Sequence, residues 1–272
     1  MRIGVRAHDF GCLPPQELAR ILQQGGYNTA QLAIPKAIAG AGDLLRVTDA
    51  QLDEIRTAFS DHGIQIAVLG CYVDLSNPDE AVRTDAVNRV CRSLAQARRL
   101  GALCVGTETS YDHLDAAGKA ARRPAMIRSV RQIVAEAERL GQDFAVEPVD
   151  WYPLDSIPVM RELLDAVDGS PRLRMIFDPA NVITPAAIGR QGEVWRAWLE
   201  AFGNRITALH IKDFVWDDTG TYCPRLLGEG RMDYTVIADW LRAGHSDLPL
   251  LREETIHSGA AADLAFLRGL VQ

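Results

Sequence analysis

Short apolar runs rich in β-branched residues alternate along this chain with longer stretches in which apolar residues recur every three or four positions. The runs are RIGVRA (2–7), TAQLAI (29–34), IQIAVLG (64–70), ALCVGTE (102–108), DFAVEP (143–148), RMIFDP (174–179), ITALHI (206–211) and PLLREE (249–254). Runs of this length and composition predict strands, and the stretches between them predict helices. PPQELARILQQGG opens on proline and closes on glycine, as a helix with an N-terminal proline and a C-terminal glycine does. TDAQLDEIRTAFSDHG offers Thr48 or Asp49 as N-cap, places Leu52, Ile55 and Phe59 on one face and stops at Gly63. Further helices are predicted over Glu80–Leu100 and in RPAMIRSVRQIVAEAERLG, IPVMRELLDAVDG, EVWRAWLEAFG, DYTVIADWLRAG and SGAAADLAFLRGLVQ.

Markers at the strand centres (Val5, Leu32, Val68, Val105, Val146, Ile176, Leu209, Leu251) are 27 to 42 residues apart. Each step holds one strand, one helix and two loops. Eight such units predict an α/β protein of one domain over residues 1–272, a (β/α)8 TIM barrel. A doubly wound open sheet is the rival, but six or seven units suit it better. No GxGxxG follows the first strand either.

The composition is that of a globular protein, 47% hydrophobic and 24% charged. A net charge of -7 and a pI of about 5.4 argue against non-specific nucleic-acid binding, which needs a basic face. No stretch approaches the ~18 apolar residues of a membrane span. Cys12, Cys71, Cys91, Cys104 and Cys223 are odd in number and form no CxxC. That argues against a disulfide framework and a thiolate zinc site, and suits reduced thiols in a cytoplasmic protein. MRIGVRAHDF carries Arg2 and Arg6 and no long apolar core, so it does not read as a signal peptide.

In a barrel the chemistry collects at the C-terminal ends of the strands. The predicted fifth strand ends at Glu147, the sixth at Asp178, the seventh at His210 and the eighth at Glu253 and Glu254. Each has an ordinary local explanation. Asp178, before Pro179, equally reads as a turn residue, and a lone histidine after an apolar run is more often hydrogen-bonded structure. Together they place carboxylates and an imidazole on one rim, where like charges repel unless a cation sits between them. Such a donor set suits one Mn²⁺, Co²⁺, Mg²⁺ or Zn²⁺ ion. Side chains alternate along a strand, so either Glu253 or Glu254 points inward, not both. His8 after the first strand, Glu108 after the fourth, and Lys212, which shares the parity of His210, are candidates for contact with substrate. Trp151 and Tyr152 read as an apolar wall. His62, His113 and His245 sit in helix or loop contexts without an evident catalytic part.

The segments FAVEP (144–148), MIFDPAN (175–181), ALHIKD (208–213), LGEGRMDY (227–234) and LLREE (250–254) resemble the xylose-isomerase-like TIM-barrel superfamily of sugar and sugar-phosphate isomerases and epimerases. The resemblance spans essentially the whole chain. It implies that Glu147, Asp178, His210 and Glu253 bind one divalent metal, with Glu254 as the alternative to Glu253. It also implies that Arg225 faces the substrate and that Gly228 and Gly230 match a G-x-G ahead of the last helix. Asn181 stands where several epimerases carry histidine. The implied activity is epimerisation or aldose–ketose isomerisation, with Glu147 and Glu253 exchanging a proton through an enediolate. The substrate is a sugar, sugar phosphate or related polyol, and relatives are often dimers or tetramers. The rivals are dehydration of a cyclic or keto polyol, as in inosose and dehydroshikimate dehydratases, and a sugar-binding barrel without catalysis. The superfamily's apurinic-site endonucleases use a histidine-rich multi-zinc cluster, which six histidines, only two of them at strand ends, do not supply.

Overall fold

The computed structural model describes residues 1–272. Eight parallel strands close into a barrel: β1 (Arg2–Arg6), β2 (Thr29–Leu32), β3 (Gln65–Gly70), β4 (Cys104–Thr107), β5 (Asp143–Val146), β6 (Leu173–Phe177), β7 (Ile206–Ile211) and β10 (Pro249–Arg252). The order around the barrel is β1-β10-β7-β6-β5-β4-β3-β2. This is the predicted (β/α)8 architecture, and closure rules out the open sheet. Two further strands, β8 (Asp213–Trp216) and β9 (Tyr222–Arg225), form an antiparallel hairpin above β7. The sequence reading did not separate this hairpin from its surroundings.

The helices are α1 (Pro15–Gln24), the single turn α2 (Ile34–Ala37), α3 (Asp49–Asp61), α4 (Glu80–Leu100), α5 (Ala116–Leu140), α6 (Ile157–Asp165), α7 (Gln191–Phe202), α8 (Thr235–Trp240) and α9 (Ala260–Val271). Their starts are written in side chains. The Thr48 hydroxyl accepts from the Gln51 amide, and the Gln51 side chain accepts from the Thr48 amide at 2.9 Å, a full capping box on α3. The Asp115 carboxylate accepts from the Gly118 amide at 2.7 Å and starts α5 seven residues before the predicted Arg123. The helix then runs through Pro124. Apolar periodicity begins only after that proline, so the first turns of α5 were hidden.

Most of the apolar core lies outside the barrel. Sixty-nine buried residues pack between strands and helices, and only seven fill the barrel: Ala67, Val68, Cys104, Ala145, Ile176, Ala208 and Leu251. The inner residues are small because the barrel is narrow. A Cβ on Gly106 would lie 2.5 Å from Ile176 Cδ1 and 2.6 Å from Val68 Cγ1. This packed floor supports the polar rim above it.

Candidate metal centre

Each strand-end candidate lies two residues beyond an interior side chain. Glu147 follows Ala145, Asp178 follows Ile176, His210 follows Ala208 and Glu253 follows Leu251. Alternation therefore turns all four toward the barrel axis. Arg252 faces outward instead, donating from Nε to Asp263 Oδ2 on α9 at 2.6 Å. Glu254 leaves the strand pattern at φ 57°, and its carboxylate accepts from the Tyr222 hydroxyl. Geometry thus brings Glu253, not Glu254, to the other three.

One ligand atom from each of Glu147, Asp178 and His210 lies within 4.8 Å of the others, and all three residues are buried. His210 Nδ1 is 3.1 Å from Glu147 Oε2 and 3.4 Å from Glu253 Oε1. Neither approach has hydrogen-bond geometry, so Nδ1 is a buried nitrogen without a partner. The other ring nitrogen is committed: Nε2 bonds to the Gln31 side-chain oxygen, and Gln31 Nε2 donates to the Tyr72 hydroxyl at 2.7 Å. A carbonyl oxygen only accepts, so Nε2 carries a proton, and this bond aims Nδ1 at the carboxylates.

Asp178 divides its two oxygens. Oδ1 accepts from the amides of Ala180 (2.8 Å) and Asn181 (3.3 Å), which is the turn role that Pro179 suggested. Oδ2 faces the centre, 2.8 Å from the Lys212 ammonium as an ion pair but off the direction of a hydrogen bond. Lys212 also donates to Asn181 Oδ1 at 2.8 Å and lies 3.5 Å from Glu253 Oε2. Asn181 in turn donates to Glu147 Oε1 at 2.6 Å. Arg6 approaches Glu253 from β1 at 3.8 Å.

Charge explains the titration of the cluster. Burial works to lower the His210 pKa, but Glu253 and Glu147 outweigh it and raise it to about 9. Burial works to raise Glu253, but His210, Lys212 and Arg6 hold it down at about 2. Burial raises Asp178 more than Lys212 lowers it. Half-buried Glu108 is pushed up to about 8 by burial and then by Glu147 and Glu253. The carboxylates thus draw positive charge onto the imidazole. Three carboxylates, one imidazole, an unpartnered Nδ1 and an Asp178 Oδ2 without a hydrogen bond fit a divalent cation with mixed oxygen and nitrogen ligands.

A cavity of about 430 Å³ opens above this cluster, with Lys212 and Asn181 in its lining. Three other predicted contacts, Glu108, His8 and Arg225, lie outside this lining. His8 sits in the turn after β1, edge-on to Tyr72 with ring centroids 6.0 Å apart, and does not line the cavity. Burial, then Arg6, lowers its pKa to about 4. Arg225 is exposed on β9, donates to the Pro224 carbonyl and is also outside the lining. Gly228 and Gly230 serve the loop: their amides each donate to Asp213 Oδ2 at 3.0 Å, and the Met232 amide donates to Oδ1 at 3.0 Å. Gln31, Tyr72 and Arg6 carry no site role in the sequence analysis, and His113, read there as without a catalytic part, lines the cavity. Gln31 left a trace as the single amide in TAQLAI. His113, stacked on Trp151 with centroids 5.0 Å apart, left none.

No curated protein matches the sequence. A family model described as a xylose isomerase-like TIM barrel matches residues 19–270. D-Psicose 3-epimerase from Clostridium cellulolyticum H10, solved with D-tagatose, superposes with a TM-score of 0.76 at 18% identity, covering 100% of both chains. A xylose isomerase-like TIM barrel protein from Mycobacterium smegmatis, solved with magnesium, gives 0.74 at 18% identity, covering 99% of this chain and 96% of that one. The probable 3-DHS dehydratase of Bacillus anthracis gives 0.75 at 15%, covering 100% and 99%. At these identities the likeness is one of fold.

Proposed function

Because the chain belongs to the xylose isomerase-like TIM-barrel family, we propose that it is a divalent-metal-dependent isomerase or epimerase of a sugar or related polyol, moving a proton next to a carbonyl through an enediolate. The observation that carries this reading is His210 Nδ1, buried and unpartnered between Glu147 and Glu253 with Asp178 beside it. Glu147, Asp178, His210 and Glu253 would hold the ion. When bound, a divalent cation there supplies Lewis acidity that makes the C–H beside the carbonyl easier to ionise.

The side chains supply the rest. Glu147 and Glu253 come from β5 and the end of β10 and approach His210 from two sides, so a carbon seated over the centre has a carboxylate on each flank. One removes a proton and the other returns one. Return to the opposite face of the same carbon epimerises it; return to the neighbouring carbon isomerises. Asn181 restrains Glu147 Oε1 and leaves Oε2 to work. The Lys212 ammonium, held by Asp178 and Glu253, positions those two carboxylates beside the centre, and burial of the cluster strengthens that hold. Expulsion of a β-hydroxyl from the same enediolate is the competing outcome.

The test measures bound metal, then deuterium uptake from D₂O into a panel of ketoses and ketose phosphates. We expect about one divalent ion per chain and solvent deuterium in the carbon next to the carbonyl. His210→Ala should lose the ion, and Glu147→Gln should lose the exchange. Full metal and full activity in both variants would overturn the assignment. A product lighter by one water would reassign the reaction to a dehydratase.

A further inference from the structure

The cavity above the centre is walled by rings. His113 lies flat on Trp151, with 4° between their planes, on one side. On the other, the β8–β9 hairpin presents Phe214 edge-on to Trp216 at 4.8 Å and tilted against Tyr222 at 4.7 Å. Ile183 and Pro185 line it from the loop after β6. The hairpin is fixed at its base. Asp213, its first residue, gathers the amides of Gly228, Gly230 and Met232, and a Cβ on Gly230 would lie 2.0 Å from Asp213 Oδ1. The aromatic walls are therefore built in place before a ligand arrives.

The charges of the cavity are as telling. Its side chains include two carboxylates, Asp150 and Glu254, and one cation, Lys212. That ammonium is already engaged by Asp178 and Asn181 at 2.8 Å and by Glu253 at 3.5 Å. No cation of the lining is left to meet a phosphate or carboxylate, which would face two anions instead. The volume, about 430 Å³, lies within the range of pockets that hold drug-sized ligands, roughly 300–1,000 Å³. Rings lining such a space bind flat apolar faces of ligand rings by stacking.

We propose that the substrate is an uncharged sugar bearing a second, apolar or aromatic ring, a glycoside that keeps a ketone on its sugar ring rather than a free or phosphorylated sugar, with the second ring seated between Trp151 and the Phe214–Trp216–Tyr222 wall. This rests on the reading of the carboxylate cluster as the reacting end, since the cavity opens directly onto Lys212 and Asn181. The second ring leaves the chemistry to that cluster and sets which polyol is held over it.

Tryptophan fluorescence tests this on the intact protein with 4-nitrophenyl glucoside, methyl glucoside and glucose 6-phosphate as probes. Trp195 and Trp198 are buried in the core and Trp240 stacks on His245 outside the cavity, so quenching by contact with a cavity ligand comes from Trp151 and Trp216. We expect the aryl glycoside to bind at least tenfold more tightly than the methyl glycoside, and glucose 6-phosphate more weakly than either. Trp216→Ala should erase the aryl preference, while Trp216→Phe, which keeps a ring on the wall, should retain most of it with an unchanged circular dichroism spectrum. Equal affinity for aryl and methyl glycosides, or tighter binding of glucose 6-phosphate, would overturn the proposal. Repeating the titration after EDTA treatment separates the two readings. Aryl binding that persists in a protein never found to hold metal would leave the ring site standing and remove the metal. Metal-dependent deuterium exchange without any aryl preference would do the reverse.

Discussion

His210 shows how a residue with two reasonable local readings is decided by its neighbours. One ring nitrogen is structural, bound to Gln31, and the other is unpartnered among carboxylates. Partners behind a ligating histidine typically change metal affinity 10–100-fold when removed. Gln31→Leu should therefore weaken metal binding by roughly that factor in a competition with a fluorescent chelator, with the barrel still folded. The two glutamates after β10 should separate in the same assay: Glu253→Gln weakens binding, and Glu254→Gln, which removes only the charge that accepts from Tyr222, leaves it unchanged. Cysteine gives a check independent of the centre. Burial raises the Cys71 thiol to about 11 and leaves it 3% exposed, whereas Cys12 is exposed. At pH 8 Cys71 holds almost no thiolate, so iodoacetamide should label Cys12 in the native protein and reach Cys71 only after unfolding, as mass spectrometry of the peptides would show.

At the scale of elements, stability concentrates where β7 and β10 hand the chain to their loops. The Arg252–Asp263 pair, with side chains 0% and 1% exposed, ties β10 to α9. Asp263→Asn would leave a buried guanidinium short of its counter-charge, and breaking such a pair costs about 3–5 kcal/mol. Removing both partners, as in Arg252→Met with Asp263→Leu, should recover much of that loss in urea unfolding. Gly230→Ala forces a methyl into the Asp213 carboxylate and should cost at least about 2 kcal/mol by disturbing hydrogen bonds to a charged group. These elements were unevenly legible in the sequence. All eight barrel strands announced themselves as apolar runs, because each is buried on both faces. The hairpin did not, because the ring-bearing β8 and the mostly exposed β9 follow β7 without an apolar run of their own.

At the scale of the whole molecule, the eightfold rhythm was legible because every unit repeats the same burial problem and solves it with the same pattern. The rim carboxylates and His210 were legible because they end strands. The partners that make them work were not: Gln31 stands 179 residues before His210 in the chain, and only closure between β1 and β10 brings the halves together. The chain has no helix long and apolar enough to cross a membrane.

The packed floor beneath the rim has a consequence for traffic. Ala145, Ile176, Ala208 and Leu251 are at most 1% exposed and close the barrel directly under the carboxylates, so nothing reaches the centre from below. On the proposed function, substrate, product and ion would share the aromatic-walled mouth above it. A molecule lodged there blocks the others: the product should inhibit competitively, and a saturating aryl glycoside should slow the stripping of metal by EDTA.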